Sequence, residues 1–280
     1  MISKRTADRL WSALAYTVIV IIIIFSIVPI LWTLITSLKP EQDIVTSELQ
    51  YLPQNLTFEH YVNIWNRSGY PRLIGNSTVV TLITLVICML IGTLAAYGFS
   101  RYQFRGRNQI LLLYLVIRMF PVVLMIAPLW VMMRTFGLLN THFGLAVAYT
   151  TFLLPICIWM MKGFFDAIPP ELEDAARIDG CTRLSALFRV VLPLARGGLV
   201  ATAVFIGIAA WNEYLFALMF TNSQNSQTWP VGLALMVGEF QLPWGALSAG
   251  GVISIIPVIL LFSIVQQSLV RGLTAGAVKG

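Results

Sequence analysis

Hydrophobic and polar positions fall into long blocks along this chain. Six apolar blocks, at about residues 11–37, 73–99, 108–133, 143–162, 198–220 and 245–269, are separated by polar, turn-rich stretches. Each matches the ~20 residues that a helix needs to cross a hydrocarbon layer of about 30 Å. Backbone groups in lipid must be satisfied within the segment, so the blocks predict helices. The pattern therefore predicts an all-α polytopic membrane protein, with six transmembrane helices in one domain over residues 1–280. The first block follows Lys4, Arg5 and Arg9 and continues through Pro29-Ile-Leu-Trp without a small-residue cleavage site, which predicts a retained helix and not a signal peptide.

Composition agrees with this reading. Hydrophobic residues make up 58% of the chain and charged residues 11%, against roughly 25% charged in an average soluble domain. The net charge of +6 does not point to nucleic acid, because the basic residues are scattered between apolar blocks and form no single patch. Their distribution predicts orientation instead. With both termini cytoplasmic, thirteen of the eighteen Lys and Arg residues fall on the inner side; Lys39, Arg67, Arg72 and Arg134 fall outside, and Arg118 lies within a span. Cys88, Cys157 and Cys181 show no C-x-x-C spacing and are expected to serve packing. His60 and His142 stand alone in predicted loops and read as surface histidines, so no metal site is indicated.

The polar segment at 169–193, between the fourth and fifth blocks, carries a second pattern. Pro169-Pro170 suits a helix start, Glu171, Glu173 and Asp174 fill the first turn where the macrodipole favours acids, and Gly180 is placed to stop the helix. Leu172, Ala175, Ala176 and Asp179 share one face, a shallow surface that a partner could approach closely. Thr182 then offers a cap to a second short helix, with an expected apolar stripe of Leu184, Leu187, Phe188, Val191 and Leu192 ending at Pro193.

Asp174-Ala175-Ala176, three residues, Gly180, nine residues, and Val190-Val191-Leu192-Pro193 together resemble the EAA loop of membrane subunits of bacterial ABC importers, with Asp for Glu at 174 and Val for Ile at 190. The last nine residues, Gly272 to Gly280, resemble the G-L-T-x-G-x-V-K-G tail of the carbohydrate-importer permeases of the MalG type, which the chain resembles from end to end. The resemblance implies a type I ABC importer permease fold. It also implies that Glu171, Asp174, Ala175, Ala176, Asp179, Gly180, Leu192 and Pro193 couple to an ATPase, and that Gly276, Val278, Lys279 and Gly280 touch the same subunit. Read by itself, that tail is a flexible glycine-rich terminus. The implied partners are a second, MalF-like permease, two copies of an ATPase carrying ATP and magnesium, and an extracytoplasmic sugar-binding protein. The implied solute is a di- or oligosaccharide such as maltose or trehalose, with glycerol phosphate or another polyol as the alternative.

Three further features bear on the pathway. Arg118 and Glu213 lie about 15 Å and about 22 Å into the layer at 1.5 Å per residue, close enough to expect a pair. With Asn212, they either fix the bundle or meet solute. Trp130, Trp159, Trp211, Trp229 and Trp244 mostly fall at span ends, where tryptophan anchors at the interface. The outer loop at 221–243 is rich in amides and hydroxyls, and in the resembled permeases the equivalent loop reaches the binding protein, which places Asn222, Ser223, Gln224 and Asn225 there.

Glycine nowhere precedes lysine directly, so the chain has no phosphate-cradling G-x-x-x-x-G-K-[ST] loop, and it has neither H-E-x-x-H nor G-x-S-x-G. It is expected to be no enzyme and to hold no cofactor. An ion-coupled secondary transporter is the competing class, with only Arg118 and Glu213 available as intramembrane charges.

Overall fold

The computed structural model describes residues 4–46, 50–66, 69–238 and 242–277, and these are helical with no strand among them. In chain order the helices are α1 (Lys4–Ser37), α2 (Glu59–Asn66), α3 (Tyr70–Arg101), α4 (Arg107–Met119), α5 (Val122–Thr135), α6 (His142–Asp166), α7 (Pro170–Ile178), α8 (Arg183–Ala186), α9 (Leu192–Leu194), α10 (Arg196–Trp211), α11 (Leu215–Phe220), α12 (Trp229–Ala234) and α13 (Trp244–Ala277). A 3₁₀ turn at Glu41–Asp43 follows α1, and a π turn at Leu187–Val191 joins α8 to α9.

Among the described residues, four segments are long and apolar enough to cross a membrane unaided: Trp11–Ser37, Tyr70–Arg101, His142–Asp166 and Trp244–Gln266. Two further helix pairs are bent, α4 with α5 and the Arg183–Leu194 segment with α10, and counting each pair as one span gives up to six. The third expected span, drawn as continuous over 108–133, turns by 101° between α4 and α5. Pro121 is the cause: it lacks an N–H and pushes the preceding residue, Phe120, into the extended region at φ −67°, ψ 133°. The fifth expected span, drawn over 198–220, is interrupted at Asn212–Tyr214 between α10 and α11. At its N-terminal end the chain also bends by 79°, between the Arg183–Leu194 segment and α10.

The described residues form two compact units. The first comprises Met1–Arg67 and Leu235–Ile255. Here α1 exposes its apolar side chains from Trp11 to Trp32, while its end is tied into the following loop. The Ser37 hydroxyl lies 2.7 Å from the Tyr61 hydroxyl, and Thr57 donates its N–H to Leu38 at 2.9 Å. His60, read above as a surface residue, is 7% exposed: its Nε2 lies 2.8 Å from the Lys39 carbonyl, and the bare Cα of Gly245 packs on its ring.

The second unit comprises Ser68–Ala234 and Ile256–Gly280, with a core where α3, α6 and α10 meet. Cys88, Ala96, Cys157, Ile158, Met161, Phe165 and Ile206 are fully buried there. Small residues allow the close approach. A Cβ on Gly92 would meet the Cys157 sulfur at 2.6 Å, and one on Gly198 would collide with the Phe164 ring. Trp211 and Trp229, expected to anchor at the interface, are 5% and 1% exposed inside this unit. Trp229 stacks edge-on against Tyr70 with ring centres 6.3 Å apart. The last helix continues to Ala277, so Gly272 to Gly276 are helical where the composition suggested a flexible tail.

Replacing Gly92 by Val should overpack the α3–α6 contact and cost about 1–3 kcal/mol. The expected result is a lower melting temperature and a smaller monodisperse fraction in detergent; an unchanged melting temperature would show that the two helices do not need this close approach.

Candidate functional site

The segment at 169–193 forms an elbow whose geometry follows from its end residues. Pro170 occupies the first position of α7, where no N–H is needed. Gly180, at φ +92°, ends the helix: its N–H donates to Arg177 at 3.1 Å and that of Cys181 donates to Ala176 at 3.0 Å, the two bonds of a Schellman cap. Thr182 then caps α8, its hydroxyl oxygen accepting from the Ser185 N–H at 3.2 Å.

One acid of the first turn does not face water. Glu173 is 7% exposed, and both of its oxygens are engaged by the end of α3. The Tyr97 hydroxyl donates to Oε1, and Arg101 Nε donates to Oε2 at 3.1 Å. Arg101 also donates through Nη2 to the Ile168 carbonyl at 3.0 Å, just ahead of α7. Nearby, Asp166 accepts from Ser100 at 2.7 Å and from Lys162 at 2.5 Å. Because Glu173 points inward, Glu171, Leu172, Asp174, Ala175 and Asp179 are exposed, with Ala176 half-buried beside them. Asp174 pairs with Arg177 at 3.1 Å, an exposed contact of little energetic weight.

The stripe expected on the second half of the elbow is divided. Leu187 and Val191 are fully buried, Leu192 is half-buried, and Leu184 and Phe188 remain 60% and 57% exposed. The division runs between two i, i+4 pairs, with Leu187 and Val191 on the buried side and Leu184 and Phe188 on the exposed side, and a π turn spans Leu187–Val191. Together with Leu172 and Ile178, the exposed Leu184 and Phe188 give the elbow an apolar surface. Pro193 is exposed near the start of α9.

The polar stretch at 222–229 is held by more hydrogen bonds than its composition suggests. Asn140, at φ +60°, uses its side-chain oxygen to accept from the Asn222 N–H at 3.0 Å, from the Ser223 hydroxyl at 3.2 Å and from the Ser226 hydroxyl. From α3, Arg72 donates to Asn225 at 2.6 Å, and Asn76 donates to the carbonyls of Gln224 at 3.0 Å and Gln227 at 2.8 Å. The side chains of Asn222, Gln224 and Asn225 are left at the surface.

Arg118 and Glu213 do not pair. Arg118 is exposed in the last turn of α4, whereas Glu213 caps α11, accepting the N–H of Phe216 at 2.9 Å and of Ala217 at 3.3 Å. Asn212 is exposed and donates to the Ile208 carbonyl at 2.9 Å. A cavity of about 360 Å³ opens at this break, lined by Tyr149, Phe152, Asn212, Glu213, Tyr214 and Phe216 among others. Among the described residues, no cluster of three His, Cys, Asp or Glu could hold a metal ion. Of the expected tail contacts, Gly276 lies in α13, and Val278, Lys279 and Gly280 fall outside the described residues.

Comparison with known proteins places this architecture. Residues 88–275 match the family described as binding-protein-dependent transport system inner membrane component. The chain is 38% identical over 260 residues to the sulfoquinovosyl glycerol transport system permease protein SmoH of Agrobacterium fabrum, covering 93% of this chain and 91% of that one. It is also 38% identical over 258 residues to the trehalose transport system permease protein SugB of Mycobacterium tuberculosis, covering 91% and 93%. The fold resembles a chain in the crystal structure of a bacterial ABC transporter involved in import of the acidic polysaccharide alginate, with a TM-score of 0.80 at 22% identity over 95% of this chain and 98% of that one. A family match across two thirds of the chain, and relatives this similar along nearly all of it, show that the protein belongs to the binding-protein-dependent inner-membrane permease components of ABC transporters.

Proposed function

We propose that this chain is one permease subunit of an ATP-driven importer for a di- or oligosaccharide, forming half of the translocation pathway together with a second, MalF-like permease. Two copies of a separate ATPase, holding ATP and magnesium, supply the work, and a sugar-binding protein delivers solute to the outer face. Both termini are cytoplasmic in this reading, as the distribution of basic residues favours.

The observation that carries the proposal is the elbow: a small-residue face, closed by the Gly180 cap and flanked by the exposed Leu172 and Ile178, on a chain without a phosphate-binding loop. A cleft on the ATPase would bury that face, and closure of the ATPase pair would move it, driving the bundle between inward and outward access. The substrates for which these relatives are named, sulfoquinovosyl glycerol and trehalose, support a glycoside; glycerol phosphate is the second reading. An ion-coupled mechanism is disfavoured by Glu213, whose carboxylate is already occupied as a helix cap.

Co-purification tests the coupling. The wild-type chain should bring down an ATPase, whereas Ala175→Asp, which puts a charge on the docking face, should insert normally yet lose the ATPase. Gly180→Val should do the same by forcing a β-branched residue to φ +92°, a strain of about 1–2 kcal/mol. Retention of the ATPase by both variants would count heavily against docking through this elbow.

The outer loop gives a separate test. Asn140→Gly keeps the positive φ but removes the acceptor of three hydrogen bonds, each worth about 1 kcal/mol. Amide exchange at Asn222 should accelerate and affinity for the binding protein should fall. Unchanged exchange would mean that Asn140 does not hold the loop.

A further inference from the structure

We infer that Glu173 is a positioning residue for energy coupling, a latch that makes α7 move as one body with the inner end of α3. The inference rests on the reading of α7 as the docking helix, and it concerns what lies behind the docking face.

Three observations point to α3 as the receiver of the motion. The first is that Glu173 spends a charge where an apolar residue would suffice for packing. A buried carboxylate is tolerated only when paired and hydrogen-bonded, and here both oxygens are claimed, by Tyr97 and Arg101 of one helix. The second is that Arg101 holds α7 and the residue leading into it at once, through Glu173 and through the Ile168 carbonyl at 3.0 Å. Two anchors from one planar guanidinium resist rotation as well as separation. The third is that the path toward α10 is built differently. It passes through the π turn at Leu187–Val191 and then through the 79° bend into α10, so no straight helix joins α7 to α10. A displacement of α7 is therefore passed directly into α3 through the Glu173 contacts, whereas toward α10 it has to turn through a 79° bend.

Tyr97 extends the latch into the core. Its ring meets Phe165 edge-on at 6.1 Å and Tyr102 at 6.3 Å, so the phenol that donates to Glu173 is wedged between the end of α6 and the turn after α3. The short, directional contact to Glu173 is thus backed by close packing, which transmits displacement instead of dissipating it.

The test uses the complete transporter, this chain co-expressed with its partner permease and ATPase, in a Cys181→Ser background. Cys88 and Cys157 are buried and can stay. Spin labels are placed at Arg177→Cys, on α7 away from its small-residue face, and at Leu90→Cys, exposed on α3. Distances are recorded without nucleotide and with MgATP and vanadate. With Glu173 intact, one narrow distribution should persist in both states. Glu173→Ala should broaden it roughly twofold and let it shift when nucleotide is added, with Glu173→Gln and Tyr97→Phe intermediate. A merely structural role would lower the yield of assembled complex but leave wild-type distances in the fraction that assembles. Wild-type distributions for Glu173→Ala in both states would overturn the latch, as would a distance that already changes with nucleotide in the intact protein. If the intact chain brings down no ATPase, the docking reading fails by itself, and the latch is then judged on the nucleotide-free distributions, where Glu173→Ala must still broaden.

Discussion

A carboxylate removed from water must find its hydration replaced, and that requirement at Glu173 orders the packing of α7 against the end of α3. The uncompensated penalty is several kcal/mol per ion, so the side chain is stable only with Tyr97 and Arg101 against it. That contact sets which side of α7 turns toward α3. The same rotation that hides Glu173 presents Ala175, Asp179 and Leu172 to the outside. The exposed small-residue face of α7 is thus defined from behind, by what the helix buries.

The apolar surroundings impose a related constraint on the spans. Wherever a helix stops inside the layer, its end groups must be satisfied by protein. At the start of α11, Glu213 does this directly by accepting the N–H groups of Phe216 and Ala217. At the α4–α5 break, Pro121 arrives with no N–H to satisfy. Both breaks are local solutions to one problem, and the first leaves beside it a cavity with mixed aromatic and polar walls.

The stretch at 222–229 shows how a polar sequence can still be held in one shape. Its backbone carbonyls and N–H groups are bound by Asn76, Ser77 and Asn140, which lie 82 to 152 residues away. The exposed amides of Asn222, Gln224 and Asn225 therefore stand on a rigid base, and a partner that meets them has less loop entropy to overcome.

The chain alone determined the elements with strong local causes. Apolar blocks of membrane length specified the helices, the EAA spacing located the elbow, and Gly180 marked the end of α7, because hydropathy, glycine at positive φ and caps act over a few residues. Which partner a charge would take was decided only by the tertiary structure. Arg118 and Glu213 looked matched by depth, yet depth ignores rotation about the helix axis, and the nearest free N–H groups lay three and four residues from Glu213 itself. Glu173 looked like one more first-turn acid, because its partners stand 72 and 76 residues away on α3. The π turn at Leu187–Val191 was equally hidden, since one extra residue in a helical turn leaves no composition signal. Local pattern is written in neighbouring residues, whereas pairing depends on which helix faces come together, and that is settled only when the bundle packs.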